Sequence, residues 1–293
     1  LPYLRHHKKT YRAGSAEEHP GPIAFNLEEL MKYKKDLDDL VLKIADVTRG
    51  RISRREVFRD FIAYCAHRIS VMTDPVHLER IKYLNELIER YTTPEREVFE
   101  QTLHHLIHTV MQNIEHCAYK DLLSIPFFEC SAENRALKQD FTPPDIAELL
   151  SQLIYGETPE LPNEGYYTLN DPTCGSGSLL LASVDCLARK GINPSEQLVI
   201  QASDLDITCV QMTYIQLALY GVPAVVIRGD VLTLQEYDRW YTPAYLLGKW
   251  VWRAPQPFGT RMNESDERLK MLEEPMYAAF RLAEQFMRKG KEC

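Results

Sequence analysis

A short apolar run from Tyr166 to Leu169 leads to Asp171, and the chain then passes through Pro172-Thr173-Cys174-Gly175-Ser176-Gly177 into an apolar-periodic segment that closes at Lys190-Gly191. A strand, an acid at its tip, a glycine turn and a helix together make a cradle for a cofactor. The first glycine lets the chain turn sharply, and the second lets a ligand approach bare backbone. The helix start leaves free N–H groups beside it. No Lys follows these glycines, as a phosphate loop would require, and the three spaced glycines of a dinucleotide site are absent.

The residues downstream repeat the pattern. A helix is expected from about Ser178 to Lys190, with Leu179, Leu180, Val184 and Leu187 inward. A strand is expected over Gln197 to Ser203, ending in Asp204-Leu205-Asp206. The segment from Ile207 to Tyr220 is apolar almost all round, which marks a buried helix. A third strand, Pro223 to Arg228, ends in Gly229-Asp230. Alternation of this kind predicts a parallel α/β sheet. Three strands in succession end in an acid, and ligands of such sheets sit at the strands' carboxyl ends. Neighbouring strands lie roughly 5 Å apart, so Asp171, Asp204 and Asp230 are expected to line one nucleoside-sized cleft.

Helices dominate the earlier chain. Asn26 with Glu29, and Ser53 with Glu56, read as capping boxes. A third helix is expected from Asp74-Pro75 to Tyr91, and a fourth from Thr93-Pro94-Glu95, with Phe99, Leu103, Leu106, Ile107, Val110, Met111 and Ile114 inward. His104 and His108 share a face of that helix, but nothing nearby completes a metal site, so none is expected. Thr142 and Pro143 read as cap and first residue of another helix, whose buried stripe would be Ile146, Leu149, Leu150, Leu153 and Ile154, with Gly156 as its stop.

Asp-Pro-Thr-Cys-Gly-Ser-Gly at 171–177 resembles the S-adenosylmethionine loop of adenine-N6 DNA methyltransferases, above all the modification subunits of type I restriction systems. Gln139 and Phe141-Thr142-Pro143 resemble a helix start found upstream of that loop in the same family, although Lys138 and Asp140 depart from its usual Gly and aromatic. The resemblance implies S-adenosylmethionine as cofactor. It implies contacts from Phe141, Thr142 and Pro143 at the methionine end, from Asp171, Pro172, Thr173, Cys174, Gly175, Ser176 and Gly177 in the loop, and from Asp204, Leu205, Asp230 and Val231 along the nucleoside. The three acids would take the methionine ammonium, the ribose hydroxyls and the adenine amino group in turn. The fold so implied is a Rossmann-like methyltransferase sheet preceded by a helical bundle. The expected division is a mobile basic arm over 1–22, a helical bundle domain over 23–135, and a methyltransferase domain with a helical tail over 136–293.

Enzymes of that family also carry Asn/Asp-Pro-Pro-aromatic on a fourth strand, where the flipped adenine is held. This tetrapeptide is missing here. The nearest counterpart is Thr242-Pro243-Ala244-Tyr245, which makes Thr242, Pro243 and Tyr245 the candidate catalytic residues. Read from the residues alone, the same stretch is a helix start with Tyr245 and Leu246 in the core. Trp250-Val251-Trp252-Arg253 would be a further strand or a stacking surface, and Glu264 to Met287 a helical tail. Three functions follow from the resemblance: an adenine-N6 DNA methyltransferase with an altered catalytic motif, a cofactor-binding regulatory or assembly subunit without catalysis, and a methyltransferase for an acceptor other than DNA.

Composition narrows the partners. Against 34 Lys and Arg stand 42 Asp and Glu, for a net charge of -8. A free-standing nucleic-acid binder would be basic, so DNA contact is expected from a local surface or a partner, such as a specificity or restriction subunit. The basic residues Arg5, Lys8, Lys9 and Arg12 form a solvated arm or a phosphate-contacting one. Seven scattered cysteines without C-x-x-C spacing suit a reducing cytoplasm. No stretch is apolar enough to span a membrane.

Overall fold

The computed structural model describes residues 39, 41, 43–44, 46–74, 76–130, 140–156, 160–254 and 265–271. The basic arm at 1–22, the helix start at Asn26 and Glu29, residues Lys138 and Gln139, and the tail beyond Met271 lie outside the described residues.

Three longer helices come first. Helix α1 (Arg54–Thr73) starts at Ser53, whose hydroxyl accepts from Glu56 N–H at 3.3 Å, as its capping box predicts. Val57, Phe58, Phe61, Ile62 and Cys65 are buried on it. Helix α2 (Glu79–Glu89) is shorter than expected, because Asp74 holds a turn before it by accepting from Val76 N–H at 2.8 Å. Helix α3 (Thr93–Glu115) is capped by Thr92 rather than Thr93, with Glu95 accepting from Thr92 N–H at 2.8 Å. Its buried residues include Phe99, Leu103, Leu106 and Val110, while Met111 and Ile114 are exposed, as are His104 and His108. A short helix α4 (Ser124–Glu129) follows in a stretch with no clear sequence pattern.

Helix α5 (Pro144–Tyr155) corrects two expectations. Its cap is Pro143, one residue later than the expected Thr142. Its buried residues are Ala147 and Ser151, whereas Ile146, Leu149, Leu150, Leu153 and Ile154 are all exposed, Leu153 at 72%. Small residues let α5 lie close on helix α6 (Ser178–Arg189), where Ser151 Oγ meets Ser183 Oγ at 3.2 Å. The helix is therefore turned with its small residues inward.

The sheet follows the expected alternation. Strands β1 (Tyr167–Asp171), β2 (Leu198–Asp204) and β3 (Ala224–Asp230) are parallel, and β4 (Gln235–Tyr241) closes the order β1-β2-β3-β4 by running antiparallel to β3. A short helix α7 (Pro194–Gln197) precedes β2, and helix α8 (Ile207–Leu219) joins β2 to β3. Side chains alternate between two covered faces, as strand geometry requires. Ile200, Ala202, Ala224 and Val226 pack with α1, α6 and α8, in a core that continues to Phe58, Phe61 and Leu106. Val199, Val225 and Ile227 pack on the other face with Tyr241, Tyr245 and Trp250. Helices α9 (Pro243–Leu247) and α10 (Trp250–Arg253) cover that second face, so the Trp250 segment is helical and not a strand. No described helix is long and apolar enough to cross a membrane.

Candidate functional site

The glycine loop is shaped by contacts that tolerate no side chain at two positions. Gly175 has φ +56°, and a Cβ built on it would lie 2.9 Å from Phe141 Cδ1. Gly177 has φ +89°, and its Cβ would lie 3.0 Å from Thr213 Oγ1. Phe141 is held in place by Phe127, stacked at 5.0 Å, and by Phe128 at 4.8 Å. The aromatic residue just before α5 thus presses directly on the first glycine.

Four of the loop's backbone donors are spent within the protein. Thr173 N–H donates to Asp171 Oδ1 at 3.1 Å, and Gly175 N–H to Asp204 Oδ2 at 3.0 Å. Cys174 N–H donates to Ser203 O and Gly177 N–H to Cys174 O, both at 2.8 Å. Helix α8 ties the loop carbonyls: Thr213 Oγ1 donates to Gly175 O at 3.0 Å, and Gln216 Nε2 to Ser176 O at 2.8 Å. Phosphate loops work by leaving such N–H groups free for the anion. This loop does the reverse.

A cleft of about 280 Å³ opens over it, lined by Asp140, Phe141, Thr142, Asp171, Thr173, Cys174, Gly175, Ser176, Ser178, Leu179, Asp204 and Cys209. Three carboxylates and no Lys or Arg are in that lining. Burial raises the Asp171 carboxyl above the ordinary range, against the N–H of Thr173. Burial likewise raises Asp204, against the N–H groups of Asp206 and Gly175. Desolvated acids without a cation are poised for a positively charged or hydroxyl-rich ligand.

The strand-tip acids do not share one level. Asp171 stands opposite Ala202, and Ala202 opposite Val226. At about 3.3 Å per residue, Asp204 lies roughly 7 Å and Asp230 roughly 13 Å further along the strand direction than Asp171. Asp171 and Asp204 therefore line the cleft, whereas Asp230 does not. Asp230 instead accepts from Leu232 N–H at 2.9 Å and Thr233 N–H at 3.3 Å, which lowers its pKa. Leu205 and Val231, with 43% and 42% exposure, stand beside the tips and outside the lining. Pro143 and Pro172 are exposed, and Gly177 is buried beneath the loop.

Thr242, Pro243 and Tyr245 are not brought to the cleft. Thr242 Oγ1 accepts from Ala224 N–H and donates to Val222 O, both at 2.8 Å, at the start of β3. Asp230 ends that strand, roughly 20 Å away at the strand rise. Pro243 opens α9 behind the Thr242 cap, and Tyr245 is buried and stacked on Tyr241 at 5.6 Å. The segment is a capped helix start packed in the core.

One contributor was not legible in the sequence. Asp121, ahead of α4, accepts from Ser176 Oγ at 2.6 Å and from Ser178 Oγ. It lies in a stretch whose pattern is irregular, so nothing in the sequence singled it out.

Three parallel strands with a glycine loop and acids at adjacent strand tips define an α/β fold with a ligand cleft at the carboxyl edge of those strands. Residues 127–242 match the family model described as N-6 DNA Methylase, in agreement with the resemblance that the loop motif carries. No curated protein matches the chain.

Solved structures show weaker similarity. A protein assigned as a class I S-adenosylmethionine-dependent methyltransferase from Listeria monocytogenes aligns at 11% identity and TM-score 0.41, over 83% of this chain and 79% of that one. The type I restriction-modification system methyltransferase subunit from Streptococcus thermophilus aligns at 17% identity and TM-score 0.29, over 70% of this chain and 53% of its own. A chain of the DrdV–DNA complex aligns at 14% identity and TM-score 0.32, over 66% of this chain and 24% of its own.

Proposed function

We propose that the cleft binds S-adenosylmethionine and that the protein serves adenine-N6 methylation of DNA, as the cofactor-holding part of a cytoplasmic modification system. The observation that carries this reading is the loop's inverted hydrogen bonding. The N–H groups of Thr173, Cys174, Gly175 and Gly177 are spent on Asp171, Asp204 and backbone carbonyls, and the lining holds acids without bases. Such a site refuses phosphate and suits a ligand with an ammonium group and a ribose. Asp171 would take the ammonium, with Phe141, Thr142 and Pro143 flanking that end. Asp204 would take the ribose hydroxyls. Leu205, Asp230 and Val231 would border the adenine, two apolar side chains being exposed beside the tips.

Bound S-adenosylmethionine would supply an activated methyl group. The described residues would bind and orient it, but the group that holds the acceptor amine is not among Thr242, Pro243 and Tyr245: Thr242 and Tyr245 are buried in the core, and Pro243 opens α9 between them. That placement also favours a second reading, in which the chain holds cofactor as a regulatory or assembly subunit. In both readings DNA is held by a local surface or by a partner subunit.

Calorimetric titration with S-adenosylmethionine, followed by labelled methyl transfer to DNA with and without partner subunits, tests both. Binding that weakens in Asp204→Ala supports the cleft assignment, and no binding by the unaltered protein removes it. Label on adenine N6 selects the first reading, and cofactor binding without labelled DNA under any condition selects the second.

A further inference from the structure

We propose that Asp121 is a positioning residue for the cofactor loop, acting from outside the glycine motif. Its effect on the loop rests on geometry; its effect on ligand rests also on the reading of the cleft as an S-adenosylmethionine site.

Asp121 is itself held before it reaches the loop. Its Oδ1 accepts from Leu123 N–H at 3.0 Å and Ser124 N–H at 3.1 Å, which closes the turn into α4. The residues on either side are fastened to α8. Lys120 N–H donates to the Tyr220 hydroxyl at 3.0 Å, and that hydroxyl donates to Lys120 O at 2.9 Å. Leu122 N–H donates to Gln216 Oε1 at 2.7 Å. The carboxylate therefore has a fixed direction, set by α8 and by its own turn.

Its free oxygen then fixes the loop. Oδ2 accepts from Ser176 Oγ at 2.6 Å and from Ser178 Oγ. Gln216 Nε2 donates to both Asp121 Oδ1, at 3.2 Å, and Ser176 O, at 2.8 Å. Asp121, Ser176 and Gln216 thus form a closed ring of hydrogen bonds drawn from three separate segments. Hydrogen bonds to an ionised acceptor are stronger than neutral ones. The ring also has a chemical consequence. Ser176 Oγ and Ser178 Oγ also lie 3.0 Å apart, so both hydroxyl protons are spent within the cluster, on Asp121 or on the neighbouring hydroxyl, and lone pairs are what the two serines offer to the cleft they line. Such hydroxyls accept from an ammonium or a sugar hydroxyl and have no proton left for an anion.

Asp121→Ala removes the ring. Asp121→Asn keeps an oxygen for the turn into α4 but puts an amide where Oδ2 was, so the serines must accept and their protons turn outward. The measurements are amide hydrogen exchange over residues 173–178, thermal melting without ligand, and calorimetric affinity for S-adenosylmethionine. In Asp121→Ala, loop exchange is expected to rise about tenfold or more while β2 and β3 stay protected. Affinity is expected to fall about tenfold or more. In Asp121→Asn the loop stays protected and affinity still falls. A folded Asp121→Ala protein with unchanged loop exchange and unchanged affinity overturns the proposal. If that variant does not fold, unchanged affinity in Asp121→Asn overturns it. If the unaltered protein binds no S-adenosylmethionine, the reading of the cleft falls, and loop exchange alone decides the role of Asp121.

Discussion

Asp204 Oδ2 accepts from the Gly175 amide at 3.0 Å, so the acid at the tip of β2 and the first glycine after β1 form one unit. Neither element can move without the other. Replacing Asp204 therefore removes both a ligand acceptor and a loop tether. A hydrogen bond to a charged group contributes about 1.5–3 kcal/mol, so Asp204→Ala should weaken S-adenosylmethionine binding by about tenfold or more. Calorimetry measures it. Unchanged affinity in a folded Asp204→Ala protein would contradict the assignment.

The same glycine carries a packing prediction. Gly175→Ala forces a side chain into a left-handed backbone and against the Phe141 ring, 2.9 Å away. Backbone strain of this kind costs about 1–3 kcal/mol, and the clash adds to it. Phe141→Ala removes the clash but not the strain. The double variant Gly175→Ala, Phe141→Ala should accordingly lose less stability than the sum of the two single changes. Chemical denaturation of the four proteins gives the coupling. Strict additivity would mean that the ring and the glycine do not meet.

Affinity should depend on pH through Asp171 and Asp204. Burial raises both carboxyls above the ordinary aspartate value. Between the ordinary and the raised value the folded chain binds more protons than the unfolded one, so each group's contribution to stability is lost as pH rises through that window. A cationic ligand favours the ionised form, so its affinity should fall as pH drops into the same window, with protons released on binding. Titrations at mildly acidic pH in two buffers of different ionisation heat count those protons. Proton uptake on binding would reverse the sign and refute this account.

Thr242 should matter for stability and not for ligand. Its hydroxyl bridges Ala224 N–H and Val222 O with no exposure to solvent. Thr242→Val leaves both backbone groups unpaired, at a cost of about 1–3 kcal/mol. Melting should fall while S-adenosylmethionine affinity of the folded protein stays constant. A selective loss of affinity would bring Thr242 back into the functional site.

The two faces of α5 should respond in opposite ways. Leu153 is 72% exposed, and Leu153→Lys should change stability by no more than about 0.5 kcal/mol. Ala147 is fully buried in the contact with α6, and Ala147→Leu should cost about 1–3 kcal/mol through overpacking. The reverse order in denaturation midpoints would restore the apolar stripe to the core.

Much of the sheet was legible because its signals are local. The apolar runs at Leu198–Ile200 and Val225–Ile227, the caps and the turn glycines each act within a few residues. Strand β4 gave no such signal. Its sequence is Gln-Glu-Tyr-Asp-Arg-Trp-Tyr, and its charges are met by residues far away in the chain. Asp238 pairs with Arg80 at 2.9 Å, and Arg239 with Asp266 at 2.9 Å. The orientation of α5 was misread for a similar reason. Periodicity identified an apolar stripe, but Ala147 and Ser151 lie on the face that allows close approach to α6. Helix period alone cannot choose between an apolar face and a small one.

By itself the sequence determined the order of the three parallel strands and the longer helices beside them, the two glycines and the acid after each parallel strand, because backbone preference and hydrophobic period are properties of short segments. Only the tertiary structure decided which of these residues meet. The stagger of the strands kept Asp171 and Asp204 on the cleft and left Asp230 beyond its lining. Antiparallel pairing of β4 carried Thr242 to the opposite end of β3. Packing of α8 brought Asp121 under the loop from a segment with no recognisable motif. Register and packing depend on contacts between residues far apart in the chain, and a single sequence carries no local mark of them.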